Sequence, residues 1–469
     1  MPEDQPPSMK DFGASFIEFL QNAAAQAPPQ QPVFLQRLRA HFNADPALLP
    51  IIAESFETAD HPNLHLAIEG YLSTEGRSAE RIGLISGIHY MDVKFSQLVA
   101  PANAGLMGQT APAPGPVEYV NINLEDDRVL TCVQRCLFLV SDADQRLALL
   151  LCGPNEIMGY PKIHIEVMAQ DASAAERVLA ELRSSMRRRN VYRGHVISLG
   201  GNQYGAIQVQ FHRLPEIERK QIILPQGLLE LIERQTLSFS RHSEKMLAAG
   251  RHLKRGLLLH GPPGTGKTLT AMYLAGQMRD RTVLLLTGRG LGMIERSCSM
   301  ARMLQPSMVI LEDVDLVGAE RTHAPVNCGP LLFELLNEMD RLADDADVMF
   351  FLTTNRPDIL EPALAARPGR IDQAIEIPLP DEDCQRRLFE FYGRGLTLRM
   401  TNLDSFIART RDVSPAFIRE SLRKAALFAA DEGAGDPVED RHVEDALREL
   451  VVAGGELTKR LLGARDILS

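Results

Sequence analysis

The chain has no basic excess: across 469 residues, 50 Lys and Arg stand against 61 Asp and Glu, for a formal charge of −11. Broad, non-specific nucleic-acid binding relies on a basic surface, so this balance argues against nucleic acid as a partner. Paired cysteines are missing too. The six cysteines are scattered at 132, 136, 152, 298, 328 and 384 with no CxxC pair. A secreted disulfide framework is denser and shorter, so free thiols in a reducing compartment are expected. Cys132 and Cys136 lie closest, but no His or second Cys pair stands near them at zinc-ligand spacing. The opening MPEDQPPSMK has no apolar core behind it, and no apolar run approaches bilayer-spanning length. The expectation is a cytoplasmic protein with no membrane contact.

What is present is length and ordinary composition. With 45% hydrophobic and 24% charged residues, the chain has the make-up of a soluble protein, and its length exceeds what one core serves. Four regions are expected. Residues 1–116 are a helical N-terminal region with a linker: Phe12, Phe16, Ile17, Phe19 and Leu20 recur at roughly helical spacing. A second helical stretch runs from Phe34 to about Leu72, and 100–116 is rich in Ala, Pro and Gly. Residues 117–218 form an α+β domain. Its expected strands are VEYVNINL, RVLTCVQRCLFLV, RLALLLC, KIHIEVMAQ, HVISLG and AIQVQFHRL, with one helix capped by Asp171 or Ser173. No catalytic motif stands in it. Its arginines 187, 188, 189 and 193 are read as complementing a helix C-terminus rather than as an anion patch.

From 219 to 380 short apolar runs (GLLLHG, TVLLLT, SMVILED, DVMFFLTTN, AIEIP) alternate with helical segments, which is the pattern of an α/β parallel sheet. Residues 381–469 are helix-like throughout and form a small helical domain.

The chemistry concentrates at GPPGTGKT, residues 261–268, which fits G-x-x-x-x-G-K-[ST] between the strand RGLLLH and a helical run starting at Leu269. Gly261, Gly264 and Gly266, with Pro262, Pro263 and Thr265 between them, let backbone N–H groups turn toward phosphates at a helix N-terminus. Lys267 neutralises β/γ-phosphate charge, and the Thr268 hydroxyl ligates Mg²⁺. A plain glycine turn leaves Lys267 and Thr268 unexplained. About forty residues on, MVILEDVD puts carboxylates at the end of a buried-type strand, to hold the metal shell and orient water. Asn355 ends a further strand and polarises the attacking water. Arg367 and Arg370 suit the γ-phosphate, supplied to a neighbour's site.

Together GPPGTGKT, LLNEMD (335–340), TTNRPD (353–358) and RPGRID (367–372) resemble the AAA family of hexameric ATPases over about residues 219–450. The resemblance implies an AAA+ core, with a five-stranded parallel sheet and a helical lid, behind helical and α+β N-terminal domains. It implies ATP and Mg²⁺ as cofactors, a homo-oligomeric and hexameric ring, and mechanical work on a macromolecule. The usual Asp-Glu-x-Asp is here Glu312-Asp313-Val314-Asp315. Aligning Asp315 gives Glu312 the Mg²⁺ role and Asp313 the catalytic-base role, an order similar to that of the mitochondrial translocase type that moves the folded Rieske protein.

Other departures bear on the kind of work performed. Between 287–288 and 305–307 there is no aromatic-apolar-Gly pore loop; Leu291-Gly292-Met293 is the nearest, which disfavours threading of an unfolded chain. ALAARPGR carries one extra alanine, leaving open which of Arg367 and Arg370 is the finger. SPAF at 414–417 replaces Gly-Ala-Asp, which weakens a sensor role for Arg419. No HExxH helix is present, so the metalloprotease branch is excluded, and RDILS lacks a proteasome-docking tail. The function expected is ATP-driven remodelling, disassembly or movement of a protein held through the N-terminal domain as substrate or adaptor. The alternatives are a nucleotide-gated assembly scaffold with slow turnover and a nucleic-acid-dependent ATPase.

Overall fold

The computed structural model describes residues 12–13, 15–16, 18–19, 33–85, 93–99, 112–125, 128–143, 145–155, 162–202, 205–287, 292–315, 330–343, 345–358, 360, 370–433 and 437–450. The chain divides into two compact units, residues 1–191 with 201–208 and residues 192–200 with 209–469.

The first unit is built on strands β1 (Ile51–Glu57), β2 (Arg77–Ile85), β3 (Ala113–Gly115), β4 (Glu118–Asn123), β5 (Val129–Asp142), β6 (Gln145–Cys152) and β7 (Lys162–Ala169). They run in the order β1-β7-β6-β5-β2-β3, with β4 paired to the first half of β5, and every pairing is antiparallel. Helices cover both faces. His61–Leu72 and Ala172–Arg188 bring Leu64, Ile68, Val178 and Leu182 onto Phe138, Val140 and Ile165. On the opposite face Val33–Phe42 brings Phe34 and Leu38 onto Leu137, Leu139 and Leu150. Successive residues of β5 therefore serve opposite cores, and the strand reads LFLV without polar alternation.

Several expectations change here. The stretch from Phe34 to Leu72 is not one helical run: Asp45 caps a short turn at Pro46, and β1 follows before the helix His61–Leu72. Ile52 and Phe56 pack on the core from β1; their four-residue spacing fits one face of a strand as well as one face of a helix. Part of the expected linker, Ala113–Gly115, pairs with Gly83–Ile85. Phe12, Phe16 and Phe19 are helical and exposed, while Ile17, Leu20 and residues 100–111 lie outside the described residues. Asp171, rather than Ser173, caps the long helix, accepting from Ala174 N at 2.8 Å.

The second unit holds a sheet in the order β14-β10-β13-β12-β11-β8-β9. Its strands are β8 (Val196–Gly201), β9 (Ile207–His212), β10 (Arg255–His260), β11 (Thr282–Leu286), β12 (Ser307–Leu311), β13 (Val348–Thr354) and β14 (Gln373–Glu376). The five expected parallel strands are all there. Two more extend them: Val196 and Ile197 run parallel to Val283 and Leu284, so HVISLG and AIQVQFHRL join this sheet and not the α+β domain. A short apolar run carries no mark of which distant sheet it will pair with, which is why sequence order misled. Arg193, just upstream, donates to the carbonyls of Gln305 and Met303, the latter at 3.3 Å.

Phe350 and Phe351 of β13 are fully buried, each adding about 1.5–3 kcal/mol relative to exposure. Parallel pairing aligns His260 with Thr354 and Leu311 with Leu352, so β10, β12 and β13 end along one edge. That edge is where an open α/β sheet presents its ligands.

Beyond Pro380 the helices Glu382–Tyr392, Leu403–Arg409, Pro415–Glu432 and Asp440–Arg448 enclose a separate core around Phe389, Phe406, Phe417 and Leu422. Asp381 and Ser414 cap two of them, at Cys384 N (2.8 Å) and Phe417 N (3.2 Å). A single parallel strand pair, Leu398–Arg399 with Val438–Glu439, interrupts the helices. No helix of the described residues is long and apolar enough to cross a membrane.

Candidate nucleotide site

β10 delivers the chain to Gly261 at the strand-end edge. There Gly261, Gly264 and Gly266 take φ of 142°, 73° and 97°, a region L side chains avoid. Space is closed as well: a Cβ at Gly261 would strike the Ile377 carbonyl, and one at Gly264 would lie 2.8 Å from Ser414 Oγ and Ala416 Cβ. The Thr265 hydroxyl donates to Pro262 O at 2.9 Å and folds the loop on itself. The helix Lys267–Gln277 then begins at Gly266, which aims its first N–H groups into the turn.

Lys267 is buried, and its Nζ donates to Gly261 O at 2.9 Å and Pro262 O at 2.8 Å. Burial pulls its pKa down to about 8, against the opposing pull of Asp313 and Asp315. Glu312 and Asp313 follow β12. Burial raises the Glu312 carboxyl above its usual range, Thr268 draws it back down, and Asp313 adds repulsion. Glu312 Oε1 is buried with no hydrogen-bond partner.

Asp313 is raised by burial first and by Asp315 next, while Lys267 and Asn355 draw it down. Its φ of 48° is left-handed, where Asp is tolerated better than most residues. Its amide donates to Thr353 Oγ1 at 3.0 Å, and Asn355 Nδ2 donates to its Oδ1 at 3.1 Å. Asp315 plays a different part. It accepts from Thr354 Oγ1 at 2.8 Å and from Asn355 N at 3.2 Å, locking the end of β13 to the end of β12.

Lys267, Asp313 and Asn355 border a cleft of about 750 Å³ lined by Pro263 through Thr270, with the lid supplying Leu388, Tyr392, Pro415, Ala416, Arg419, Glu420 and Arg423. The lid touches the loop directly, Ala416 N donating to Gly264 O at 3.3 Å. Tyr392 and Arg423 were not singled out from sequence, and neither was the stretch Gln221–Leu224 on the same cleft. Arg370 stands apart from this group. Its guanidinium is paired with both oxygens of Asp340, and its Nη1 is buried without a partner. Arg367 lies outside the described residues.

A strand–glycine loop–helix with a buried lysine, two carboxylates at the end of the strand one removed in the sheet and a polar residue at the end of the strand between them defines a P-loop nucleotide hydrolase fold. Residues 257–379 match the family described as ATPase family associated with various cellular activities (AAA). An ATP-dependent zinc metalloprotease FtsH 3 of Sphaerobacter thermophilus is 32% identical over 253 residues, 51% of this chain and 51% of that protein. A probable 26S proteasome regulatory subunit 4 of Caenorhabditis elegans is 34% identical over 224 residues, 45% of this chain and 50% of that protein. A proteasome-activating nucleotidase of Thermococcus gammatolerans is 33% identical over 218 residues, 44% and 54% of the two chains. The chain spans about half the length of the curated relatives it matches. It carries an ATPase domain of the AAA+ kind.

Proposed function

We propose that this chain hydrolyses ATP within a ring-shaped, six-membered assembly and uses the energy to remodel, disassemble or move a protein partner. The observation that carries the reading is the meeting of Lys267, Thr268, Asp313 and Asn355 at one cleft under the lid, with the buried Glu312 carboxyl next to Asp313 in the chain. Gly261 to Leu269 hold the phosphates through backbone N–H groups and the Lys267 ammonium. Asp313, its pKa raised and its Oδ1 held by Asn355, takes the proton of the attacking water.

The residues fit Mg²⁺: Glu312 Oε1 is a buried acceptor with no hydrogen-bond partner, in a carboxyl whose pKa Thr268 draws down. When bound there, the cation neutralises charge on the β- and γ-phosphates. The longer Glu312 reaches the metal side, and the left-handed backbone at Asp313 re-aims the shorter acid toward water. Arg367 and Arg370 act on a neighbouring chain's γ-phosphate, which makes assembly a condition of turnover. The first unit grips the substrate or adaptor. Five free, buried cysteines among the described residues accord with a reducing, cytoplasmic setting.

ATP turnover measured against protein concentration tests this. Specific activity that rises with concentration supports the ring ATPase. ATP binding without turnover at any concentration would leave a nucleotide-gated scaffold as the better account.

A further inference from the structure

One wall of the cleft is a stretch that no motif marks, Gln221–Leu224, which precedes the helix Leu228–Glu233. Its side chains divide between two cores. Ile222 and Leu224 are buried with the parallel sheet, whereas Ile223 is buried among the lid helices. An extended backbone at Ile222 (φ −90°, ψ 97°) sets this alternation, because successive side chains then point to opposite sides. One short segment is thus sewn into both halves of the unit that close on the cleft.

Arg219 anchors that segment. Its Nε donates to Glu233 Oε1 at 3.0 Å and Oε2 at 3.2 Å, and its Nη2 to Glu233 Oε2 at 3.0 Å and Glu230 Oε1 at 2.7 Å. The turn carrying it is closed by Glu218 N donating to Gln221 Oε1 at 2.8 Å. Glu233 is shared: its Oε1 also accepts from the Tyr273 hydroxyl at 2.7 Å, and Tyr273 is a buried residue of the helix that starts at Lys267. The contacts run from the phosphate-loop helix to the segment Gln221–Leu224 that lines the same cleft.

We propose that Arg219 is a positioning residue for the nucleotide: through Glu233 and Tyr273 it ties the Gln221–Leu224 wall to the phosphate-loop helix, so that wall and loop grip one nucleoside triphosphate at a set spacing. This deepens the nucleotide-site reading and rests on it. Arg219 touches no reacting atom, and Glu312, Asp313 and Asn355 are carried by other elements. Loosening the tie therefore costs affinity and spares the chemical step.

The test uses the full chain, N-methylanthraniloyl-ATP as binding probe, and ATP turnover in parallel. Arg219→Ala and Tyr273→Phe each weaken binding and raise KM about threefold to fivefold, the scale of an exposed ion-pair network, with kcat held within about twofold. Arg219→Ala combined with Glu233→Gln is no worse than the poorer single variant, since both remove one tie. Tyr273→Phe keeps the buried ring and guards against a result that only reports misfolding. Lys267→Ala is the control for the underlying reading and abolishes binding. Wild-type affinity in Arg219→Ala and Tyr273→Phe, with Lys267→Ala inert, would overturn the tie and leave the site intact. So would a fall in kcat as large as the fall in affinity, or additive effects in the double variant. Full binding by Lys267→Ala would bring down the site reading itself.

Discussion

The two units differ in what surrounds their buried and part-buried polar groups. In the first, several end on backbone or on a structural partner: His61 Nε2 meets Val133 O at 2.8 Å, Asn63 Oδ1 accepts from Val191 N at 2.8 Å, and Arg77 Nε donates to Asp142 at 2.8 Å, while Asn63 Nδ2 and Glu69 Oε1 are buried without a partner. There His61 is lowered and Cys136 raised to about 12, both by burial first, shifts that accompany packing. In the second unit the shifted groups act on one another. Lys267 is lowered, Glu312 and Asp313 are raised, and the Asp313 carboxyl acts on both of the others. Titratable groups acting on one another beside a cleft, with a left-handed Asp among them, are the pattern of a candidate functional site. The shifts cited for the first unit accompany packing, and those of the second gather at one place.

The sharpest way to break that contrast is to remove Arg367 and Arg370 together. Turnover should fall about 1,000-fold, as for other transition-state arginines, with ATP binding kept; steady-state hydrolysis beside probe binding checks it. Asp313→Asn comes next, lowering kcat about 100-fold or more while leaving affinity near wild type, because only the base is lost. It should also raise Tm, since it removes a charge whose folded pKa lies above its ordinary value. The sign is direct: protonation of such a carboxylate favours the folded state, and at neutral pH the ionised form is the one that costs stability.

Much of this site was legible because the P-loop is local. Eight consecutive residues carry the loop, the ammonium and the hydroxyl, and the strand and helix around them are contiguous in sequence. The acidic strand end and Asn355 followed, since each closes an apolar run. What escaped depends on distant pairing. β8 joined β11 across more than eighty residues of chain, β1 shared its spacing with a helix, and Gln221–Leu224 gained meaning only when two cores formed on either side of it. Arg370 reads from sequence as suited to a neighbour's γ-phosphate and is held by Asp340, a pairing between two motifs that no spacing rule foretells.

Phe138→Ala in the first unit sharpens the comparison from the other side. It should cost about 3–5 kcal/mol of stability, read in urea unfolding, without altering kcat per folded molecule. The smallest expected effect is on pH. Lys267 in the free protein loses its proton near pH 8, and bound phosphate raises that pKa, so binding takes up a proton in this range. Affinity should decline as pH rises through about 8, and Lys267→Arg should flatten the profile.

The most direct measurement mixes two inactive chains. Asp313→Asn and the Arg367→Ala/Arg370→Ala double variant are each assembled alone and then together, and ATP turnover is followed. A shared, trans-acting site predicts that the mixture hydrolyses ATP where neither parent does, because an intact Asp313 then meets intact arginines from its neighbour. A mixture that binds ATP and co-assembles yet stays as silent as its parents would contradict the account.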